Sequence, residues 1–153
     1  GIRAGVHRFT EAKTQYTLAS SLHAPNDEIR SKLIPLRAAM SVDEIRAAAG
    51  RYLEATGREV TFEYVLLDGV NAQPEHAREL AARFRGVRGS VNVIPYNPVP
   101  ELDYRRPDDD AIDRFARTLV HGGMKVSVRR RRGADIAAAC GQLVLRSKDS
   151  LDQ

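Results

Sequence analysis

Cysteine is almost missing from this chain: Cys140 is its one thiol in 153 residues. A lone cysteine cannot close an internal disulfide, nor supply a multi-cysteine metal site by itself. That usage favours a reducing compartment, and a cytoplasmic protein is expected. Long hydrophobic runs are missing too. Stretches such as Val65-Leu66-Leu67 fall far short of the roughly 20 apolar residues that span a bilayer, so no membrane partner is expected. No repeat, low-complexity stretch, signal peptide or targeting segment is present, and Gly1-Ile2-Arg3-Ala4-Gly5 has the character of a cropped or processed chain. Charge of one sign is scarce: 24 basic and 20 acidic residues leave a net +4, compatible with nucleic acid but too small an excess to argue for it.

What is present describes a folded, soluble chain, with 42% hydrophobic and 29% charged residues. One domain over residues 1–153 is the default, long enough to bury a real core. Short β-rich runs alternate with amphipathic helical patterns. Tyr16 to Leu22 reads as a strand, followed by helical spacing from Asp27 to Leu36. Ser41-Val42-Asp43-Glu44 has capping-box spacing ahead of the stripe Ile45, Ala48, Ala49 and Leu53. Val60 to Leu67 is a strand rich in β-branched and aromatic residues, and Pro74 to Phe84 a helix. Val91 to Pro95 is a third strand, and Asp108-Asp109-Asp110 opens a helix that Gly122-Gly123 stops. Lys125 to Arg129 is a fourth strand, and Asp135 caps a last helical pattern through Ala139.

Strand–helix alternation over four units implies an α/β fold with a parallel sheet. Half of a barrel and a small open sheet both satisfy the pattern. In either, chemistry belongs at the carboxyl ends of the strands, where Ser21-Leu22-His23, Asp68-Gly69-Val70-Asn71, Asn97-Pro98 and Arg130-Arg131-Arg132-Gly133 collect. Ser21 and His23 suit a polar ligand, or simply satisfy a turn. Asn97 presents an amide to a ligand, or serves as an ordinary turn residue before proline. Glu63, inside a strand, needs a basic partner or a ligand hydroxyl. Arg129 to Arg132 suit phosphates, or form a solvated edge. Cys140 lies between Ala137-Ala138-Ala139 and Gly141, so it is either a thiol open to close approach or an inert buried one.

Four ordered segments carry a resemblance. Ser21-Leu22-His23-Ala24-Pro25-Asn26-Asp27, Phe62 through Asn71, Val91 through Pro98 and Arg132 through Leu143 resemble the RlmN/Cfr family of radical S-adenosylmethionine RNA adenine methyltransferases. The likeness runs from about Leu18 to Leu143. It implies a partial (β/α) barrel of the radical S-adenosylmethionine type, this chain being about four C-terminal βα units with parallel strands and the N-terminal half being absent. It also implies S-adenosylmethionine as cofactor, with a [4Fe-4S] cluster whose CxxxCxxC ligands lie outside this chain and an external electron donor for it. The family methylates adenine carbon 2 in 23S rRNA and, for RlmN-type members, in certain tRNAs, while Cfr-type members act at carbon 8. It works through a methylated cysteine near the C-terminus, whose radical adds to the base, and a second cysteine resolves the adduct.

Residue by residue, the resemblance implies that Cys140 is the methyl-accepting cysteine. Ser21, Leu22 and His23 match the segment contacting S-adenosylmethionine, and Asn97 matches a further contact to it. Asn71-Ala72-Gln73, Pro98-Val99-Pro100-Glu101, Ser20 and Arg131 depart from the family's usual residues without touching these positions, as in a divergent subgroup. Without the cluster motif or a second cysteine, the 153 residues alone are expected to bind no cluster and methylate nothing. The competing reading is a cluster-free half-barrel used as an RNA- or partner-binding module.

Overall fold

The structure, a computed structural model, describes residues 18–34 and 40–129. Its elements run β1 (Ala19–Ser21), α1 (Asp27–Leu33), α2 (Val42–Thr56), β2 (Val60–Leu66), α3 (Pro74–Arg83), β3 (Gly89–Pro95), α4 (Asp109–His121) and β4 (Lys125–Val128).

Local chemistry sets the helix ends. At α2 the Ser41 hydroxyl accepts from Glu44 N at 3.1 Å while Ser41 N donates to Glu44 Oε2 at 2.9 Å, the reciprocal pair anticipated from the sequence. Gly57 closes the same helix in the left-handed region, φ 69°, with its N–H on Leu53 O. Asp108 caps α4 through Ala111 N, at 2.6 Å. Helix α1 stops at Leu33, short of the expected Leu36, because Ile34 precedes Pro35 and is forced into extended backbone, φ −127° and ψ 124°. The first strand is likewise shorter than Tyr16 to Leu22, with residues 16 and 17 outside the described residues. The helix expected after Asp135 lies outside them as well.

All four strands are parallel and ordered β1-β2-β3-β4. Each crossover therefore steps the same way, and the right-handed rule puts every connecting helix on the same face. Burial agrees. Val60, Phe62, Tyr64 and Leu66 of β2 are buried, while Thr61, Glu63 and Val65 between them are only half-buried. This one-sided winding is the arc of a barrel, so it decides between the two architectures the pattern allowed.

The core lies under the helices. Val60, Phe62, Tyr64, Leu66, Val91 and Val93 meet Ile45, Ala49 and Tyr52 of α2, Ala77, Leu80 and Ala81 of α3 with Phe84 beyond it, and Ile112, Phe115 and Leu119 of α4. Phe62 and Phe84 pack edge-to-face with centroids 4.9 Å apart, and Tyr64 leans on Phe115 at 5.2 Å. Gly122 ends α4 where a Cβ would strike Ala81, so these two helices close tightly at the amino ends of the strands.

Removing the Ser41 hydroxyl strips the start of α2 of its reciprocal cap. Ser41→Ala is expected to cost about 1 kcal/mol, read as a lower urea midpoint with an unchanged slope.

Candidate active site

The carboxyl ends of β1 and β2 are joined by one buried side chain. Asn71 is fully buried, and its amide makes three hydrogen bonds. Nδ2 donates to His23 O and to Val65 O, both at 2.8 Å, and Oδ1 accepts from Leu67 N at 2.7 Å. Its own carbonyl accepts from the Tyr64 hydroxyl at 2.9 Å. Burial pushes the Tyr64 phenol far above its ordinary range, so it stays a donor. Polar groups this deep would be costly unpaired, and here each finds a partner.

That clamp holds a strained turn. His23 has φ 60°, a conformation that costs a non-glycine residue about 1–2 kcal/mol. Glu63 O accepts from Leu22 N at 2.9 Å and His23 N at 3.3 Å, and Arg30 Nη2 donates to Ser21 O at 3.2 Å. The His23 ring is fixed too: Val65 N donates to Nδ1 at 3.1 Å. The proton of the neutral imidazole is then on Nε2. Burial, followed by the positive charge of Arg30, holds the His23 pKa below its ordinary 6.5, with Glu63 pulling the other way. The turn therefore offers a neutral N–H donor. Arg30 is itself buried, and its Nε and Nη1 have no hydrogen-bond partner among the described residues.

Below the turn, the helix-free face of the sheet carries a polar row. Ser21, Glu63, Asn92 and Ser127 stand in register across the four strands. Ser127 Oγ donates to Asn92 Oδ1 at 3.1 Å, and Asn92 Nδ2 donates to Glu63 Oε1 at 3.2 Å. Among the described residues the partner of Glu63 is thus an amide and not a basic residue. The arrangement leaves Glu63 acceptor capacity on the open face beside the exposed Ser21. Asn97 is exposed two residues past β3, at the same end and two strand spacings, about 10 Å, from β1.

Ser21, His23 and Asn97 thus share one rim. Leu22 is different: its side chain lies in the core, so it meets a ligand only through its main chain. Cys140 and Arg130 to Arg132 lie outside the described residues. Asn71 was read only as one of the polar strand-end residues, and Asn92, Ser127 and Arg30 were not among the predicted site residues. The alternation of Thr61 and Glu63, Ser90 and Asn92, and Lys125 and Ser127 with apolar neighbours was a legible trace of the polar face. No three His, Cys, Asp or Glu residues among those described are placed to hold a metal ion, and no described helix is long and apolar enough to cross a membrane.

No protein-family model matches the chain. It is 52% identical over 143 residues to a probable dual-specificity RNA methyltransferase RlmN of Nostoc punctiforme, covering 94% of this chain and 39% of that protein. The likewise named protein of Synechocystis is 46% identical over 151 residues, covering 99% of this chain and 43% of its own length. The crystal structure of a radical SAM methyltransferase from Sphaerobacter thermophilus superposes with TM-score 0.85 at 47% identity, covering 93% of this chain and 42% of that one. The chain belongs to the RlmN-like radical SAM methyltransferases. It spans about two fifths of the length of the relatives it matches. A domain of the pyruvate-formate lyase-activating enzyme from Bacteroides vulgatus, TM-score 0.66 over 84% of this chain and 74% of that one at 16% identity, shares the fold alone. Together with the one-sided parallel sheet, these likenesses make the RlmN-like chain part of a partial α/β barrel.

Two outcomes test this geometry. Asn71→Leu keeps the volume but orphans His23 O, Val65 O and Leu67 N, and should cost about 3 kcal/mol or more, measured by chemical denaturation. The second concerns pH. The unfolded chain takes up a proton on His23 near pH 6.5, before the folded one does. Stability from this residue is therefore complete above about pH 7, falls as pH drops through 6.5, and levels off below the folded pKa. His23→Asn, which tolerates the left-handed turn and does not titrate, should lose less stability than wild type between pH 7.5 and pH 5.5.

Proposed function

We propose that the protein is a radical S-adenosylmethionine methyltransferase acting on adenine carbon 2 in 23S rRNA and in tRNA, and that the rim at β1–β3 is where this chain meets the cofactor. The observation carrying the reading is the strained His23 turn at the strand ends, held by Asn71 and with its ring engaged at Nδ1 by Val65 N. A strained residue that is fixed from several sides is a mark of a functional site.

The residues fit S-adenosylmethionine chemically. Ser21 Oγ and His23 Nε2–H are donors, and Glu63 offers acceptor oxygens suited to hydroxyls or an ammonium. Ser21, the Leu22 main chain, His23 and Asn97 would hold it across the rim. S-adenosylmethionine, when bound, supplies the methyl group to be transferred. The described residues do not fit an iron–sulfur cluster, since they include no ligand set for one. Its cysteine ligands are proposed to lie outside this chain.

Within this reading His23 acts as a donor and not as a base, because Nδ1 is already engaged by Val65 N and burial disfavours the imidazolium. Asn71 and Glu63 O hold the turn, so the donor need not reorganise when the ligand arrives. Cys140, outside the described residues, is the proposed methyl acceptor. Its neighbours Ala137-Ala138-Ala139 and Gly141 leave room for both a cofactor and a base to approach the sulfur.

The test uses the whole protein, expressed in a host whose own adenine methylation at this position has been removed. Nucleosides from ribosomal RNA are then separated and weighed by mass spectrometry. Wild type should restore 2-methyladenosine, Cys140→Ala should abolish it, and His23→Ala should lower it at least tenfold. Unmodified adenine with wild type would contradict the function, and 8-methyladenosine would move the reaction to the other carbon.

A further inference from the structure

A second feature lies at the opposite end of the sheet. Residues at the amino ends of β2, β3 and β4 and the adjoining turns enclose a recess of about 330 Å³, lined among others by Glu59, Arg85, Arg88, Gly122 and Lys125. It runs into a second recess of about 430 Å³ that shares Ala81, Arg85 and Gly122 and adds Arg78, Thr118 and His121. The two hold four cationic side chains and one imidazole against one carboxylate.

That carboxylate is already engaged. Glu59 accepts from Lys125 Nζ at 2.9 Å and lies 3.5 Å from Arg88 Nη2. Arg78 is paired along its own helix with Glu75 at 3.0 Å. Arg85 is exposed and has no acidic partner among the described residues. Exposed cations lining a concave surface raise the local potential and attract phosphates. The rim offers the reverse on the β3–α4 side. There Val99 to Asp110 carries five carboxylates and two arginines.

We propose that this groove binds the sugar–phosphate backbone of the RNA substrate, remote from the reacting base. The inference rests on the RNA methyltransferase reading and deepens it. Strand β3, with seven residues, separates the groove from the rim by about 20 Å. A ligand engaging both must therefore be a polynucleotide and not a free nucleotide. The contacts are electrostatic and sequence-independent, fixing the register of the RNA while the rim handles the base.

The experiment measures binding of a transcribed tRNA to the whole protein at several salt concentrations. The double variant Arg85→Glu/Arg88→Glu should bind at least tenfold more weakly, and its dependence of log K on log salt should be flatter by about 0.7–0.9 for each phosphate that is no longer neutralised. Glu59→Gln, which frees Lys125 and Arg88, should bind severalfold more tightly. S-adenosylmethionine binding should not change in either, since these side chains lie at the opposite end of the strands from the rim. Unchanged affinity and salt slope in both variants, with wild type binding RNA, would overturn the groove while leaving the RNA reading intact. A wild type that binds no RNA would overturn both. Displacement of the tRNA by polyglutamate at equal charge but not by a second RNA would also overturn the proposal, in favour of an acidic protein partner.

Discussion

The structure depends on one buried amide. Asn71 has just enough hydrogen-bonding groups to satisfy the main chain at the end of β2 and at the turn that leaves β1. Each of these carbonyl and N–H groups would be expensive to leave unpaired in the interior. No apolar side chain could replace it, and water is excluded from the position. Because the bonds converge on His23 O and Val65 O, the same residue both ends the strands and fixes the left-handed turn. The Tyr64 hydroxyl, under the helices, accounts for the Asn71 carbonyl, so the rim is tied directly into the core.

The two faces of the sheet divide the work. On one face, alternate residues of β2 and β3 are large, apolar and buried against α2, α3 and α4. That burial is the main source of stability. On the other face Ser127, Asn92 and Glu63 are bonded in a row, with Val65 and Ile94 paired beside them toward the rim. Such a row offers little apolar burial, but it holds side chains in set orientations before any ligand arrives. An ordered polar row under an ordered rim is the physical basis for the proposal that the cofactor binds here and not on the helices.

Much of this was legible in the sequence, for reasons that differ by residue. Helix starts were readable because caps are local: Ser41 with Glu44, and Asp108, act within one turn. Strand positions were readable from β-branched and aromatic runs, and the rim from the polar residues that follow them. Strand order was not, because hairpin-like local signals are lacking in parallel sheets and pairing joins residues far apart in sequence. Without the register, Glu63 could not be matched to Asn92, which lies 29 positions away. Asn71 could be seen as a strand-end residue, but its reach back to His23 spans 48 positions. Cys140, the residue most specific to the family likeness, lies outside the described residues, and its assignment rests on that likeness.

Burial and the bond from Val65 N hold the His23 ring as a neutral donor before any ligand binds. The most direct measurement is the ¹⁵N spectrum of the His23 imidazole at pH 7 in the ligand-free protein. A protonated Nε2 with an unprotonated, hydrogen-bonded Nδ1 is the predicted result. An imidazolium, or the tautomer with its proton on Nδ1, would contradict it, because neither can accept from Val65 N.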